Sequence, residues 1–320
     1  MKKKIGNMRF LALAGVVLSA FFFLITCKNK GPYVMPDSPT SGNIRILADE
    51  SIQPIVKAEV SAFTSVYRNA HISPAFKPEK ELISDFLNDS IDVIVTSWAP
   101  SEELKKLLLN SQVVTKTVLV AYDALALVLN RENADTLLTF EDVKNIFIGK
   151  INNWKQINPK SELGEIKVIF DNDKSANIRY FKEKFLLPEQ LPSNFFAVKS
   201  NPEVISYISE SPGAIGILSV NWISDSDDSA SVAYSKRVRI AAVSTEFIDK
   251  NTFYKPAQGS IYDKSYPFVR ETNIVSREAS YGLGSGFIAW VSGEQGQRII
   301  LKSGLVPATM PVRLVRVSKK

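Results

Sequence analysis

The sequence predicts an α/β protein of two units, in each of which a mainly parallel sheet is flanked by helices. Short apolar segments of strand length alternate with amphipathic segments of helix length along most of the chain. The 320 residues exceed what one hydrophobic core usually serves. This alternation occurs on both sides of a long apolar segment between Val113 and Asn130, which favours two units over one.

The first unit contains three strands that alternate with three helices. Its predicted elements are the strand Ile44–Ala48, a helix with Ile52, Ile55, Ala62, Phe63 and Val66 on one face, the strand His71–Phe76, the helix Glu79–Asn88, the strand Ile91–Thr96 and the helix Ser101–Leu109. The Ile and Val residues of Ile91–Thr96 favour a strand buried on both faces. Ser101, followed by two glutamates, is typical of a helix N-cap.

The second unit begins in the long apolar segment and repeats the same alternation. Its predicted elements are the extended segment Val113–Asn130 with a break at Tyr122-Asp123, the helix Thr139–Ile148, the strand Ile166–Phe170, the helix Ser175–Phe185, a helix from Asn201, the strand Ala214–Leu218, a polar surface loop at Ile223–Ser235, the strand Val238–Val243, the strand Phe268–Ile274 and a final helix at Gly286–Ser303. Gly282-x-Gly284-x-Gly286 is interpreted as a loop before that helix, because no complete βαβ unit surrounds it.

The first residues predict export and a lipid anchor. Residues 1–26 carry four cations and no acid, and the uncharged, mostly apolar run Phe10–Thr26 has the length of a signal-peptide core. Leu24-Ile25-Thr26-Cys27 resembles a bacterial lipobox, in which the cysteine is acylated and becomes the new N-terminus. Residues 27–41 are predicted to be a tether, so folding begins near Gly42 and outside the cytoplasm. The alternative is a signal anchor with an incidental cysteine.

Charge and composition exclude several classes of function. Of the formal charge of +6, residues 1–26 carry +4, which leaves 35 basic and 33 acidic residues in the remainder. That balance is not typical of a nucleic-acid-binding protein. A single histidine, His71, and a single cysteine, Cys27, exclude a zinc site of Cys/His type and any disulfide within the chain. No metal or other cofactor is expected.

Three segments are candidates for binding an anion, because in each a strand ends, hydroxyl or acidic residues follow, and a helix begins. They are Asp49-Glu50-Ser51, Thr96-Ser97 and Lys174-Ser175-Ala176-Asn177. Helix N-termini offer unpaired N–H groups and a partial positive charge, which suit phosphate or sulfate. The alternative is that each hydroxyl only caps its own helix.

Two charged residues sharpen that prediction. Asp92 falls inside the predicted apolar strand, where an ionised carboxylate needs a partner. It could accept the proton of monohydrogen phosphate, which sulfate does not carry, or it could serve as a cap or pair with a nearby lysine. Arg179 lies one turn into the helix after Ser175, where its guanidinium could bind an oxyanion, orient a carboxylate or remain solvated.

Several stretches together resemble a known family. They are Ala124–Asn130, Leu138–Trp154, Gly213–Ile217, Tyr266–Phe268 and Gly296–Pro307, and the most specific block is Ile-Phe-x-Gly-Lys-Ile-x-Asn-Trp within Leu138–Trp154. The chain resembles the phosphate-binding proteins of the high-affinity phosphate ABC transporter, which have a type 2 periplasmic-binding-protein fold. The resemblance implies one lobe at 42–120 plus 264–320 and a second at 121–263. It also implies a two-strand hinge near Val120 and Tyr262–Tyr266.

The resemblance also assigns ligand-binding residues position by position. It implies that Asp92 accepts the phosphate proton and that the ligand also contacts Ser51, Thr96, Ser97, Ser175, Ala176 and Asn177. Asp49, Glu50 and Asp123 are further candidates for ligand contact. Two departures stand out. Asp49 and Glu50 occupy positions where the family has small residues, and the arginine of the family falls near Asp171, so Arg179 is the candidate substitute.

The sequence therefore predicts a monomeric, lipid-anchored, extracytoplasmic solute-binding protein that captures inorganic phosphate for an ABC permease. Its other expected partner is the membrane, and nucleic acid is not expected. One alternative ligand is another oxyanion, an organic phosphate or a cationic or polyhydroxyl solute. Another alternative is a surface protein for adhesion or sensing. A hydrolase using Asp49, Glu50 or Asp92 is disfavoured, because no paired-acid motif is present.

Overall fold

The structure is a computed structural model that describes residues 37–245, 251–277 and 281–311. The predicted signal peptide 1–26, Cys27 and most of the predicted tether lie outside the described residues. Residues 37–41 of the tether are part of the folded domain, because the Leu283 N–H donates to Asp37 Oδ1 at 3.1 Å and Ser38 bridges to Ser41. The predicted boundary at Gly42 is therefore five residues late.

The described residues form thirteen strands and ten α-helices. The strands are β1 (Gly42–Asp49), β2 (Ala70–Lys77), β3 (Val93–Thr96), β4 (Lys116–Asn130), β5 (Leu137–Leu138), β6 (Lys167–Phe170), β7 (Phe195–Ala197), β8 (Ala214–Ser219), β9 (Val238–Ile240), β10 (Ala242–Ser244), β11 (Phe253–Tyr254), β12 (Val269–Ser276) and β13 (Val306–Pro307). The helices are α1 (Gln53–Val66), α2 (Glu79–Leu87), α3 (Glu102–Asn110), α4 (Phe140–Phe147), α5 (Ala176–Phe185), α6 (Asn201–Glu210), α7 (Ser229–Ser235), α8 (Gln258–Tyr262), α9 (Leu283–Ser292) and α10 (Glu294–Lys302). Three short 3₁₀ helices occupy Glu50–Ile52, Trp154–Gln156 and Val220–Trp222.

A ten-stranded mixed sheet runs through the domain in the order β2-β1-β3-β12-β4-β8-β6-β7, and β9 and β13 also pair with β4. Strands β1, β2 and β3 are parallel and form what we call the first section, together with helices α1 and α2. Strands β6, β7 and β8 are likewise parallel and form the second section, with α5 and α6. The predicted parallel order within each unit is confirmed.

Strand β4 joins the two sections without interruption. Its residues 116–124 pair antiparallel with β12, and Leu125–Leu129 pair antiparallel with β8. The predicted break at Tyr122-Asp123 is wrong. The strand continues through these residues, because Tyr122 pairs with Glu271 of β12 and with Val306 of β13, and the pairing partner changes to β8 only at Leu125.

Two other segments differ from the prediction. The polar segment Ile223–Ser235 ends in helix α7, whose first turn is capped because Ser231 N donates to Asp228 Oδ2 at 2.9 Å. The predicted strand Val238–Val243 is two strands: β9 pairs with β4, whereas β10 pairs with β5 and β11 in a separate three-stranded sheet. Polar composition alone did not reveal the capping aspartate.

The C-terminal helical segment is two helices that meet at Gly293, and α9 begins earlier than predicted. The predicted glycine loop is therefore wrong, since Gly284 and Gly286 lie inside α9. Gly286 has a packing role there. A Cβ atom at this position would lie 1.8 Å from the carbonyl oxygen of Pro39, so only glycine allows the N-terminal backbone to approach this closely.

Helices cover both sections and bury an apolar core between themselves and the sheet. Its largest fully buried side chains include Phe63, Trp154, Phe181 and Phe268. Across the described ranges, none of the helices is long and apolar enough to cross a membrane. The architecture is the α/β fold that the sequence predicts.

Candidate ligand-binding site

The carboxyl end of β1 supplies the first part of the site. Asp49 ends the strand and caps the 3₁₀ helix that follows, because its Oδ1 accepts a hydrogen bond from Ser51 N at 2.8 Å and another from Ser51 Oγ. Pro54 is the second residue of α1, in the first turn, where its missing N–H costs no helical hydrogen bond. Asp49 and Ser51 are each 1% exposed. The local sequence therefore fixes a buried carboxylate and a buried hydroxyl at this strand end.

A buried arginine ties this strand end to the centre of the sheet. Arg270 on β12 donates from Nη2 to Ser51 Oγ at 2.8 Å and from Nε to Asp123 Oδ2 at 3.0 Å. Asp123 on β4 also accepts a hydrogen bond from Ser219 Oγ at 2.8 Å. Asn221 Nδ2 donates to the carbonyl oxygen of Ser51 at 2.9 Å. Side chains from both sections thus meet around Ser51.

A second buried carboxylate lies at the start of α2. Glu79 Oε1 accepts hydrogen bonds from Thr96 Oγ1 at 2.6 Å, Ser97 Oγ at 2.8 Å and Arg179 Nη2 at 3.2 Å. Its Oε2 accepts another from Arg179 Nε. Burial alone would raise the pKa of Glu79. The hydrogen bonds and positive charge of Arg179, together with the hydrogen bonds from Thr96 and Ser97, lower it below its usual value. Glu79 is therefore an ionised carboxylate held by donors on both of its oxygens.

The second section contributes the turn between β6 and α5. Ser175 caps α5, with its Oγ accepting from Ile178 N at 3.4 Å. Asp171, which follows β6, is fully buried and accepts a hydrogen bond from Asn201 Nδ2 at 3.3 Å. Burial raises the pKa of Asp171, although a hydrogen bond from Ser175 opposes that rise. The turn thus carries a buried acid beside the start of a helix.

The electrostatics of these groups are coupled. Burial, followed by the negative charge of Glu79, raises the pKa of Asp49 to about 7. The charge of Arg270 opposes this rise, and the charge of Asp171 adds to it. Glu50 lies next to Asp171, since it accepts a hydrogen bond from Asn172 Nδ2 at 3.2 Å. Burial and the negative charge of Asp171 raise the pKa of Glu50. The site contains five carboxylates and two arginines, so acidic groups outnumber basic ones. The carboxylates are Asp49, Glu50, Glu79, Asp123 and Asp171, and the arginines are Arg179 and Arg270.

Several buried polar atoms at this site have no hydrogen-bond partner among the described residues. Four are oxygen acceptors, and one is a donor. The acceptors are Asp49 Oδ2, Asp171 Oδ1, Asn177 Oδ1 and Asn221 Oδ1, and the donor is Arg270 Nη1. Buried polar atoms in native proteins are nearly always hydrogen-bonded. The site therefore favours a ligand, or ordered water, that donates hydrogen bonds as well as accepting them.

Most of the predicted ligand residues lie on the elements that meet here. Ser51, Thr96, Ser97, Ser175, Ala176, Asn177, Arg179, Asp49, Glu50 and Asp123 are brought to the strand ends and helix starts just described. Ala176 and Asn177 form the first turn of α5 and are buried. Arg179 does reach the site, where it binds a carboxylate of the chain itself.

Asp92 is the exception, and its predicted burial is wrong. It is exposed and precedes β3, which begins only at Val93. Its carbonyl oxygen accepts a hydrogen bond from Arg277 N at 2.9 Å. Asp92 lies at the amino end of β3, whereas Thr96 ends the strand, about 13 Å away at the usual rise per residue. It is therefore separated from the cluster by the length of the strand.

Sequence reasoning missed Glu79, Arg270, Ser219 and Asn221. Two of them could have been found. Glu79 starts a helix directly after a strand, which is the pattern that selected the other three segments. Arg270 is a charged residue inside a predicted strand, which is the signal that selected Asp92, although its strand has a largely polar sequence. Ser219 and Asn221 carry no such signal.

A cavity of about 570 Å³ lies beside this group, and Asn221 is on its border. Its other lining residues include Lys57, Trp222, Asp225 and Tyr234, and its lining does not include Asp49, Glu79 or Asp171. This cavity therefore borders the hydrogen-bonded centre without including these three carboxylates. Within the described part of the chain, no cluster of three or more His, Cys, Asp or Glu residues is arranged to hold a metal ion.

Comparison with known sequences identifies the family. Residues 34–294 match the family whose description is PBP superfamily domain. The chain belongs to this superfamily. The phosphate-binding protein PstS of Bacillus subtilis is 23% identical over 308 residues, which cover 92% of this chain and 93% of the relative. The phosphate-binding protein PstS of Borreliella burgdorferi is 23% identical over 82% of this chain and 89% of the relative.

Solved structures agree on the fold. A Clostridium perfringens structure with bound phosphate, described as a phosphate ABC transporter substrate-binding protein, has a TM-score of 0.69 at 23% identity and covers 83% of this chain and 100% of its own. An ABC-type phosphate transport receptor from Vibrio cholerae has a TM-score of 0.61 at 21% identity, covering 84% and 100%. The predicted type 2 periplasmic-binding-protein fold is confirmed. The relatives are binding proteins, in agreement with the prediction that the chain is not an enzyme.

Proposed function

We propose that the chain is the extracytoplasmic solute-binding component of an ABC importer, held at a membrane by acylated Cys27. The observation that carries this proposal is the match to the phosphate-binding protein of Bacillus subtilis over 92% of the chain. The lobes would be residues 42–120 plus 264–320 and residues 121–263. Ligand binding would shift an equilibrium between open and closed arrangements, and no bond is broken.

The proposed ligand is inorganic phosphate. Thr96, Ser97 and Arg179 are the donors that could bind its oxygens, and the start of α5 at Ser175 adds unpaired backbone N–H groups. Asp49 replaces Asp92 as the proposed acceptor of the phosphate proton, because Asp49 Oδ2 is buried and has no hydrogen-bond partner in the described part of the chain. Sulfate has no proton to offer that oxygen, so phosphate is expected to be preferred.

A second candidate is a solute rich in hydrogen-bond donors, such as a cationic or polyhydroxyl compound. The surplus of buried acceptors at Asp49, Asp171, Asn177 and Asn221 favours it. The excess of carboxylates over arginines also favours a cation over a dianion. This candidate keeps the same transport role and changes only the ligand.

Isothermal titration calorimetry tests the ligand. The chain from residue 27, with Cys27→Ser to prevent acylation, is unfolded, stripped of bound solutes and refolded, then titrated with phosphate and with sulfate at about pH 8, where Asp49 is ionised. We expect heat with phosphate and none with sulfate. Asp49→Asn is expected to weaken phosphate binding about tenfold, because one acceptor becomes a donor. The matched control is Asp92→Asn, which changes an exposed carboxylate.

The outcomes separate the two candidates. If neither anion produces heat but an amine or a polyol does, the second candidate is correct. If Asp92→Asn weakens phosphate binding and Asp49→Asn does not, the proposed proton acceptor is wrong.

The lipid anchor has its own test: mass spectrometry of the full-length protein expressed in bacteria should find acyl chains on Cys27, and Cys27→Ser should release the protein from the membrane.

A further inference from the structure

The carboxylate of Glu79 occupies a set of donors of the kind that binds an oxyanion. Two hydroxyls and one guanidinium converge on it, at 2.6 Å from Thr96, 2.8 Å from Ser97 and 3.2 Å from Arg179 Nη2. Arg179 Nη2 also donates to Ser97 Oγ at 2.9 Å, so the donors are linked to one another. Glu79 is 1% exposed. The donor set is thus complete, and the group that fills it belongs to the protein.

The contact also joins the two sections of the sheet. Glu79, Thr96 and Ser97 belong to the first section or follow its strand β3, whereas Arg179 lies on α5 of the second. Glu79 and Arg179 are separated by 100 residues in the chain. A second, exposed ion pair connects the same regions, from Lys174 Nζ to Glu81 Oε1 at 2.9 Å. These ion pairs therefore link the two sections in addition to the sheet that runs through both.

We propose that the Glu79 carboxylate is an internal substitute for an oxyanion ligand, which closes the site in the ligand-free protein and competes with phosphate for Arg179, Thr96 and Ser97. The competition rests on the proposed function, whereas the closure does not depend on which solute is bound. An oxyanion can occupy these donors only in the fraction of molecules in which Glu79 has left them. The apparent dissociation constant is then the intrinsic constant divided by that fraction.

Glu79 thereby becomes a residue that sets ligand selectivity. A solute that does not need these donors, such as a cation bound by the neighbouring carboxylates, does not have to displace it. An oxyanion must displace a charge-assisted pair in a buried site, which is among the stronger hydrogen-bonded contacts in proteins. The ion pair therefore disfavours oxyanions relative to such solutes.

The test uses two variants and a matched control in the chain from residue 27 that carries Cys27→Ser. Glu79→Gln keeps the size and an acceptor oxygen but removes the charge, and Glu79→Ala removes the contact. Glu81→Gln removes the charge of the exposed pair that links the same regions. Phosphate affinity is measured by calorimetry, and the radius of gyration of the ligand-free protein by small-angle X-ray scattering. Circular dichroism verifies that each variant is folded.

We expect both Glu79 variants to bind phosphate about tenfold or more tightly than the parent protein, because the competitor is gone. We also expect a larger ligand-free radius of gyration for Glu79→Ala and no change for Glu81→Gln.

If neither measurement changes in folded Glu79 variants, the proposal is overturned. If the radius increases but no variant binds phosphate, closure by Glu79 stands and the proposed ligand is wrong. If the parent binds phosphate and the Glu79 variants gain nothing, the competition is wrong while the proposed function stands.

Discussion

Two buried arginine–carboxylate pairs lie within one site and differ in what holds them. Arg270 and Asp123 are direct neighbours across the paired strands β12 and β4, with Nη2 and Oδ2 2.9 Å apart, and their side chains are 4% and 0% exposed. Arg179 and Glu79 lie on helices of different sections, and the arginine side chain is 32% exposed. The strand pair is held by the hydrogen bonds of the sheet itself, whereas the helix pair must be maintained by its own contacts.

This difference separates a structural pair from one that can exchange partners. Asp123 cannot move away from Arg270 without breaking strand pairing between β4 and β12. Glu79 can leave Arg179 by separation of the two sections while each section keeps its own strand pairing. We therefore expect the loss of the first pair to lower stability and the loss of the second to change ligand binding and closure.

The largest expected effect is that of Arg270→Met. Removing the arginine leaves Asp123 buried with its charge uncompensated, which typically costs about 3–5 kcal/mol of unfolding free energy. Arg179→Met should cost less, about 1–2 kcal/mol, because Glu79 keeps its hydrogen bonds from Thr96 and Ser97. Urea unfolding measures both. Equal losses in the two variants would show that the two pairs do not differ as proposed.

Another buried carboxylate, that of Glu59 on α1, extends the comparison because its one hydrogen-bond donor is neutral. Its Oε2 accepts a hydrogen bond from Trp290 Nε1 at 3.1 Å, and its Oε1 has no partner within the described ranges. Burial raises the pKa of Glu59 to about 8, whereas the arginine beside Glu79 lowers the pKa of that residue. Of these two buried acids, the one whose pKa is lowered is the one that is paired with an arginine.

The sign of the resulting pH dependence follows from linkage. With a folded-state pKa above the unfolded value of about 4.5, Glu59 contributes stability at low pH that is lost as the pH rises towards about 8. Glu59→Gln should remove this loss, so at about pH 8.5 its unfolding free energy should exceed that of the parent protein by on the order of a few kcal/mol. Urea unfolding at about pH 5 and about pH 8.5 measures the difference. Parallel losses in the variant, the parent and an exposed control, Glu132→Gln, would contradict this prediction.

The smallest expected effect is that of Glu81→Gln. The pair of Lys174 and Glu81 bridges the same sections as Arg179 and Glu79, but its side chains are 49% and 44% exposed. Exposed ion pairs typically contribute less than about 1 kcal/mol. We expect a change in unfolding free energy below about 0.5 kcal/mol that disappears in high salt. A loss as large as that of Arg179→Met would mean that charge alone, rather than burial, holds the sections together.

Local patterns predicted the elements that carry strong local signals. Ser101, Thr139 and Ser175 cap the helices that they were predicted to begin, because a side-chain oxygen before a helix satisfies backbone N–H groups nearby in sequence. Prediction was weaker where the partner is distant in sequence. The pairing of β4 passes from β12 to β8 after Ala124, and both partner strands are distant from β4 in sequence.

The prediction of the site was also correct where the signal is local in sequence and failed where it depends on distant residues. Strand ends and helix starts indicated Ser51, Thr96 and Ser175, and the resemblance to a family placed them in one cleft. The interpretation of Asp92 was wrong because the apolar run is two residues longer than the strand, so a residue before the strand was taken to be inside it. Whether a charged residue is buried depends on where the strand begins, and that depends on its neighbours in the sheet.

The sequence by itself determined the alternation of strands and helices, the capped helix starts and the family, because these depend on residues that are close in the chain or on motifs preserved as blocks. Only the tertiary structure decided which charges meet. Glu79 and Arg179 are 100 residues apart and Asp123 and Arg270 are 147 apart, and each pair forms only when the sheet brings its strands and helices together. Electrostatic pairing depends on distance in space and on burial, and both are properties of the folded chain.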